Sequence, residues 1–377
     1  MERGLHFSTA DAGVDDTGWS ARSEYWSTYK PRKKKGPPKK YKFRQPLILC
    51  GHGARINVDR GTLLVRNGFT YYPQKLEEFR FFPGDPNLPD RIIILDASGG
   101  ITFDALSWMS EQEISLLQLD WRGRPKLMGG PAGYSADPKI VDAQRAAQGG
   151  KKKIEISRWL IREKLIASNK TLLKIIPNSE NRKNAILEIE KWISEIKNSN
   201  KSNSLPKIHG IEGQTANVYF SAWRGIPLNW SGLKKKPIPD NWLEIGPRTM
   251  GWRKRSRAAR HPINAMLNYG YGILISQLQA QVSSAGLDPT IGMIHGNSEN
   301  RIPLIYDLME PLRPVVDSHI LGLALEHTFS PGDFTINKSG GCRLNPQMAK
   351  TLVKQLDFPE AELVVRDFVS NLMRRAK

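Results

Sequence analysis

The spacing of apolar residues changes once along this chain, and that change restricts the fold more than any single motif does. Between residues 47 and 120, apolar residues come in short runs separated by turn residues, as in "LILC", "ARINV", "TLLVR", "FTYYP", "RIIILD" and "SLLQLD". Such runs predict strands, and the short turns between them predict hairpins. Residues 102–113 are the exception and predict a helix with Thr102 as its N-cap. Beyond residue 139, apolar residues recur at steps of three and four, which is typical of helices.

These two patterns predict an α+β protein, with a small β-rich N-terminal domain over 47–125 and an all-helical domain over 139–377. The glycine- and proline-rich stretch 126–138 is predicted to be a linker. Residues 1–46 are predicted to be a basic, flexible tail, because eight Lys or Arg fall between 32 and 44 without a helical period. A tail of this kind either binds a DNA backbone or serves as a solvated linker, and its composition is compatible with both roles.

Net charge is the strongest feature of the composition. The chain carries 56 Lys and Arg against 37 Asp and Glu, which gives +19, and residues 1–46 account for only +6 of this. The excess on the body indicates a polyanion partner such as nucleic acid, although a soluble or ribosome-associated basic protein has the same signature. Two distant cysteines, the lack of a long apolar run and the lack of a secretion signal predict a cytoplasmic protein without a membrane segment.

Two phrases place ionisable groups among apolar residues. In "IEGQTANVYFSAW" (211–223), Glu212 and Tyr219 fall on one face of a predicted helix. In "GMIHGNSENRIPLIYDLMEPLRP" (292–314), His295 precedes Asp307 and Glu310, which lie three residues apart and share a helical face. A buried carboxylate without a partner is costly, and two neighbouring carboxylates repel. A divalent cation would relieve both problems.

One imidazole and two or three carboxylates form a ligand set that suits Mn²⁺ or Mg²⁺ better than Zn²⁺. When such an ion lies next to a basic surface, it indicates phosphodiester chemistry. The ion stabilises charge on phosphate oxygens and activates a water or a 3′-hydroxyl. Taken singly, each residue also fits a structural role: a hydrogen-bonded histidine, a glutamate near a helix start, or a solvated acidic face. Spacing alone leaves these alternatives open.

Residues 224–260 are strongly basic and contain Trp230, Trp242 and Trp252. The pattern predicts a DNA surface on which cations hold phosphates and aromatic rings stack on bases, while the alternative is a solvated face over core tryptophans. The predicted DNA-binding residues here are Arg224, Lys234, Lys235, Lys236, Arg248, Arg253, Lys254, Arg255, Arg257 and Arg260.

Four phrases in this order, "HGIEGQTANVYF", "HPINAMLNYGYGIL", "GLDPTIGMIHG" and "IYDLMEPLRPVVD", resemble the signature segments of the CRISPR-associated spacer-acquisition endonuclease or integrase, protein one of that system. The resemblance covers the chain from about residue 47 to its last residue. It implies that Glu212, His295 and Glu310 are metal ligands, with Glu310 where many relatives have Asp. It also implies that Asp307 supports the site and that Tyr219 contacts DNA or the leaving strand.

The resemblance further implies a homodimer formed through the N-terminal domain and bridged by a small CRISPR-associated partner subunit. Such an assembly captures short double-stranded DNA and joins its 3′-hydroxyls to the repeat of a CRISPR array. One alternative is a transposon-encoded integrase of the same family; those relatives usually carry an added DNA-reading domain, for which the 67 residues after Glu310 give no signal. A second alternative is a non-catalytic DNA-binding scaffold.

Overall fold

The computed structural model describes residues 17–30, 45–130, 136–197, 204–247, 259–295 and 302–374. The strands are β1 (Leu47–Cys50), β2 (Ala54–Asp59), β3 (Thr62–Arg66), β4 (Glu78–Phe81), β5 (Arg91–Leu95), β6 (Gly99–Ile101), β7 (Ser115–Leu119), β8 (Pro125–Gly129), β9 (Asn229–Trp230), β10 (Thr328–Phe329), β11 (Phe334–Ile336) and β12 (Cys342–Leu344). The helices are α1 (Trp19–Thr28), α2 (Phe103–Glu111), α3 (Pro138–Ala147), α4 (Gly150–Ile175), α5 (Glu180–Lys197), α6 (Leu205–Ser221), α7 (Pro262–Ser284), α8 (Pro303–Met309), α9 (Arg313–Glu326), α10 (Pro346–Lys354) and α11 (Glu360–Met373).

The N-terminal part consists of two four-stranded sheets, with strand orders β1-β5-β7-β8 and β4-β3-β2-β6. The predicted hairpins are confirmed for β2–β3, but β1, β5 and β7 run parallel to one another. The physical reason is that runs such as "IIIL" (92–95) are apolar at every position, which is typical of parallel strands buried on both faces. The "FTYYP" segment is not a strand, and β4 lies a few residues later.

The parallel sheet joins the two halves of the molecule because its side chains alternate between two cores. In β1, Ile48 and Cys50 pack into the large core of the helical part, whereas Leu49 packs against the second sheet and α2. In β5, Ile93 packs into the large core, and Ile92 packs against the second sheet and α2. The N-terminal sheets are therefore continuous with the helical body.

Helices dominate the C-terminal part, and α4 and α7 form its centre. The predicted stripe of α4 is confirmed: Ile156, Leu160, Ile161 and Leu165 are all buried. The part is not all-helical, however, since short strand pairs β9–β10 and β11–β12 lie within it. Within the residues described, no helix combines the length and the apolar character needed to cross a bilayer.

Two predicted boundaries are wrong. Residues 19–28, predicted to be tail, form α1, whose Trp26 is 1% exposed and whose Arg22 pairs with Asp333. The buried Trp26 packs this helix into the large core of the body. Residues 126–129, predicted to begin the linker, instead belong to β8, which pairs with β7. The Lys-rich run 32–44 lies outside the described residues.

Candidate functional site

Three segments that are distant in sequence bring the predicted acidic ligands together. Glu212 lies on α6, and Glu310 begins a 3-10 turn that joins α8 to α9. Pro311 follows Glu310 at the start of that turn, where a missing backbone N–H costs little. Helix α4 passes between the two segments and supplies Lys164.

Lys164 bridges the two carboxylates. Its ammonium donates a hydrogen bond to Glu212 Oε1, and its Nζ lies 2.6 Å from Glu310 Oε2. Two carboxylates that share one ammonium lie at most about 6 Å apart. Glu212 and Glu310 therefore face a common cation, and that cation is a lysine that the sequence-based prediction missed.

A signal for Lys164 was nevertheless present in the sequence. It lies four residues after Leu160 and three after Ile161, on the buried stripe of α4, and its side chain is 12% exposed. A lysine on an apolar stripe needs an acidic partner, because burying an unpaired charge is costly. Its partners come from other helices, so the local pattern does not identify them.

Glu310 is ionised despite its burial. Arg313 Nε lies 2.9 Å from its Oε1. Burial alone would raise the pKa of Glu310, but the charges of Arg313 and Lys164 outweigh it and lower the pKa to about 2. In the described part of the chain, Glu310 Oε2 receives no hydrogen bond with suitable angles, although the Lys164 ammonium is close. This oxygen is held by its ion pair with Lys164 and not by a well-aligned hydrogen bond, and the same is true of Arg313 Nε.

Asp307 has a different role from Glu310. Its carboxylate accepts hydrogen bonds from the backbone N–H groups of Met293, Ile294 and His295, the last two at 3.0 Å. The His295 ring also donates from Nδ1 to Asp307 Oδ1 at 2.7 Å. Four donors occupy both oxygens, which relieves the repulsion expected between Asp307 and Glu310 without a shared cation. The arrangement fixes the ring of His295 and leaves its Nε2 as the nitrogen that can bind a metal.

The acidic groups around His295 raise the pKa of its ring. Burial disfavours protonation, but the hydrogen bond and charge of Asp307, together with the charge of Glu310, outweigh burial and raise the pKa of His295. The same negative surroundings attract any cation that approaches the ring.

The residues present fit a hard divalent ion. Glu212 and Glu310 provide carboxylate oxygens, His295 provides a nitrogen, and both carboxylates already pair with a cation, Lys164. As the side chains stand, no group of three His, Cys, Asp or Glu in the described ranges is close enough to hold an ion. Instead Lys164 lies between the two glutamates.

Tyr219 does not line the site as predicted. It is 4% exposed, and its hydroxyl donates to Asp317 Oδ2 at 3.1 Å. Burial raises the pKa of Tyr219 well above its ordinary value. Tyr271 donates to the other oxygen of Asp317, so Tyr219 belongs to a buried polar cluster and is not accessible to DNA.

The predicted basic surface is exposed where the structure describes it, which is at Arg224, Lys234, Lys235, Lys236 and Arg260. The other predicted positions lie outside the described residues: Arg248, Arg253, Lys254, Arg255 and Arg257.

The two described tryptophans of this segment, Trp230 and Trp242, do not form a stacking platform for bases. Trp230 and Trp242 stack on each other at 6.2 Å, and Trp230 also contacts Phe329 and Phe334. Trp242 is 3% exposed, and Trp252 lies outside the described residues. The cations thus remain on the surface, while the described aromatic rings belong to the core.

Comparisons with known proteins agree with these features. The sequence profile of the family described as "CRISPR associated protein Cas1" matches residues 47–357. CRISPR-associated endonuclease Cas1 2 of Pyrobaculum aerophilum is 27% identical over 290 residues, covering 74% of this chain and 83% of that protein. CRISPR-associated endonuclease Cas1 1 of Thermus thermophilus is 26% identical over 311 residues, covering 82% of this chain and 84% of that protein.

Solved structures share the fold. A casposase bound to integration product superposes with a TM-score of 0.69 and 23% identity, covering 88% of this chain and 96% of that chain. A Cas6-RT-Cas1–Cas2 complex superposes with a TM-score of 0.63 and 19% identity, covering 90% of this chain and 35% of that chain. Since the profile spans most of the sequence, including Glu212, His295 and Glu310, this chain belongs to the Cas1 family of CRISPR-associated proteins.

Proposed function

We propose that this protein is a metal-dependent DNA endonuclease and integrase that inserts short duplex DNA into a CRISPR array. The observation that carries the proposal is the convergence of Glu212 and Glu310, from separate segments, on a single positive charge. The family match gives this convergence its chemical meaning, because relatives from Pyrobaculum and Thermus are named endonucleases.

The ligands of the ion would be Glu212, Glu310 and His295, and the ion would be Mg²⁺ or Mn²⁺. When bound, a divalent ion stabilises charge on the phosphate oxygens and lowers the pKa of an attacking hydroxyl. Asp307 accepts a hydrogen bond from His295 Nδ1, so that Nε2 is the ring nitrogen that would bind the ion once it carries no proton. Exposed cations such as Lys235 and Arg260 hold the DNA through its phosphates.

The proposed assembly is a homodimer formed by the N-terminal sheets and joined by a small Cas2-like partner. Large apolar side chains on the N-terminal part support a protein interface there: Tyr72 is 91% exposed, Phe103 is 87% exposed and Phe82 is 56% exposed. The solved complex of a Cas1-containing chain with Cas2 supports the second contact.

A strand-transfer assay tests the proposed function. A short duplex with free 3′-hydroxyls is incubated with a supercoiled plasmid that carries a repeat, with Mn²⁺ or with a chelator. We expect wild type to join the duplex to the plasmid only with the metal, and His295→Ala to lose the reaction while it still binds duplex DNA in a mobility-shift assay. DNA binding without metal-dependent joining in either protein would instead identify a scaffold.

The target of the reaction separates the two integrase alternatives. We expect insertion at the junction of a leader and a CRISPR repeat. Insertion at a transposon target, with no preference for the repeat, would identify the transposon-encoded member of the family.

A further inference from the structure

Lys164 is the one cation that touches both of the proposed acidic ligands in the described structure. It reaches them from α4, a helix that supplies neither ligand, and its side chain is 12% exposed. The side chain is therefore built into the site. Its position between Glu212 and Glu310 is the position where a positive charge relieves the repulsion of the two carboxylates.

Both glutamates have other interactions that stabilise their charges in the fold, apart from Lys164. Glu310 already pairs with Arg313 through Oε1, and the side chain of Glu212 is 33% exposed, which allows water to solvate it. What Lys164 adds is the link between the two carboxylates. This link keeps two groups on different segments at a separation suitable for a shared ion.

The contact with Glu310 is also one that can be given up. Lys164 Nζ lies 2.6 Å from Glu310 Oε2 and Arg313 Nε lies 2.9 Å from Oε1, and both contacts are ion pairs without a well-aligned hydrogen bond. An ammonium on a flexible stem moves away more readily than a fixed guanidinium fork does. The neighbouring Arg313 is held differently, because its guanidinium also lies 5.4 Å from the ring centre of Tyr271.

We propose that Lys164 is a resident counter-ion of the metal site: it holds Glu212 and Glu310 together in the metal-free protein and is displaced when a divalent cation binds. It is thus a positioning residue that also sets the affinity for the ion, since binding must break both of its ion pairs. This inference rests on the proposed function, because it takes the two glutamates as metal ligands.

The first test compares Mn²⁺ binding to wild type, Lys164→Met and Lys170→Met, measured from the signal of free Mn²⁺ by electron paramagnetic resonance. Lys170 is a matched control, as it lies on the same helix, is exposed and carries the same charge. We expect Lys164→Met to bind Mn²⁺ about tenfold more tightly or better, because a competing unit charge a few ångströms away is removed. Lys170→Met should bind as wild type does.

The second readout is thermal unfolding of the same three proteins in chelator and in saturating Mn²⁺. Without metal, Lys164→Met should melt below wild type, because Glu212 and Glu310 then repel each other. Mn²⁺ should raise its melting temperature more than it raises that of wild type, as tighter binding to the native state requires. If Lys164 were only a packing residue, metal would not selectively rescue the variant.

A third readout uses wild type alone and covers the case in which Lys164→Met does not fold. Amine acetylation followed by mass spectrometry should label Lys164 faster with Mn²⁺ than without it, while Lys170 is labelled equally in both. Equal or weaker Mn²⁺ binding by Lys164→Met, or labelling of Lys164 that Mn²⁺ does not change, would overturn the inference and leave the proposed function standing. Failure of wild type to bind Mn²⁺ would overturn the proposed metal site itself.

Discussion

Two buried carboxylates in this protein are both paired with cations, but they are bonded in different ways. Asp333 accepts hydrogen bonds from Arg22 Nε at 2.7 Å, Arg22 Nη2 at 3.0 Å and Trp26 Nε1 at 2.7 Å. The backbone N–H of Ser330 adds another at 2.8 Å. Glu310 is surrounded by two cations, yet its Oε2 lacks a well-aligned donor in the described ranges.

The difference separates a carboxylate used for packing from one used for chemistry. A buried ion pair is tolerated when every oxygen is hydrogen-bonded, as in the Arg22–Asp333 pair that attaches α1 to the body. A carboxylate that must bind an ion keeps an oxygen available instead. We therefore expect neutralisation of Glu310 to remove activity and neutralisation of Asp333 to remove stability.

The largest effect is expected for Glu310→Gln. The substitution keeps the shape but removes the charge, and an amide is a much weaker ligand for Mn²⁺ or Mg²⁺ than a carboxylate. We expect strand transfer to fall by at least about 10³-fold, which corresponds to about 4 kcal/mol of activation free energy. Circular dichroism in the presence of chelator should show a folded protein, because Lys164 keeps its pair with Glu212. Retained strand transfer would mean that Glu310 is not a ligand.

The next effect is expected for Asp333→Asn, which leaves the buried guanidinium of Arg22 without a counter-charge. Breaking a buried pair in this way costs about 3–5 kcal/mol, so the free energy of unfolding measured in urea should fall by that amount. Strand transfer per folded molecule should not change. The control is Asp142→Asn in an exposed pair with Arg145, where the expected cost is at most about 0.5 kcal/mol. Similar losses in both variants would contradict the assigned role of Asp333.

Local patterns in the sequence were sufficient to predict several elements. Thr102 caps α2 as predicted, since its side chain accepts a hydrogen bond from the Ala105 N–H. The long helix between Pro262 and Gly286 is confirmed, and Gly286 has the positive φ of 69° that suits a helix end. These signals depend on neighbours within a few residues, which a sequence displays directly.

Features that depend on contacts between distant residues were not predictable in this way. Arg22 and Asp333 are 311 positions apart, so a short segment in a polar terminus gave no sign of its partner. Tyr219 shares a helical face with Glu212 in the sequence pattern, but its hydroxyl is taken by Asp317 in the interior. The apolar stripe of α4 indicates that Lys164 is buried, but it does not show which acidic residues pair with it.

The smallest expected effect is that of pH on the free energy of unfolding. It concerns the contact of α1 with the body and not the metal site. His327 is buried against Trp26 at 4.6 Å and Phe329 at 5.2 Å between ring centres. Burial and then the positive charge of Arg22 lower the pKa of His327 to about 4. The imidazole is therefore neutral in the folded protein at pH 7.

The sign of the effect follows from the two protonation states of His327. Between pH 6.5 and 4 the unfolded chain binds a proton that the folded chain excludes, so the free energy of unfolding falls as the pH falls. The loss reaches about 3 kcal/mol at the acidic end and is absent above the unfolded pKa. In urea titrations at pH 7, 5.5 and 4.5, His327→Phe should show a weaker decline than wild type, because Phe fills the same aromatic site without titrating. An equal decline in the two proteins would show that the acid sensitivity comes from other groups, and the pairing of α1 with the body would then not depend on a neutral His327.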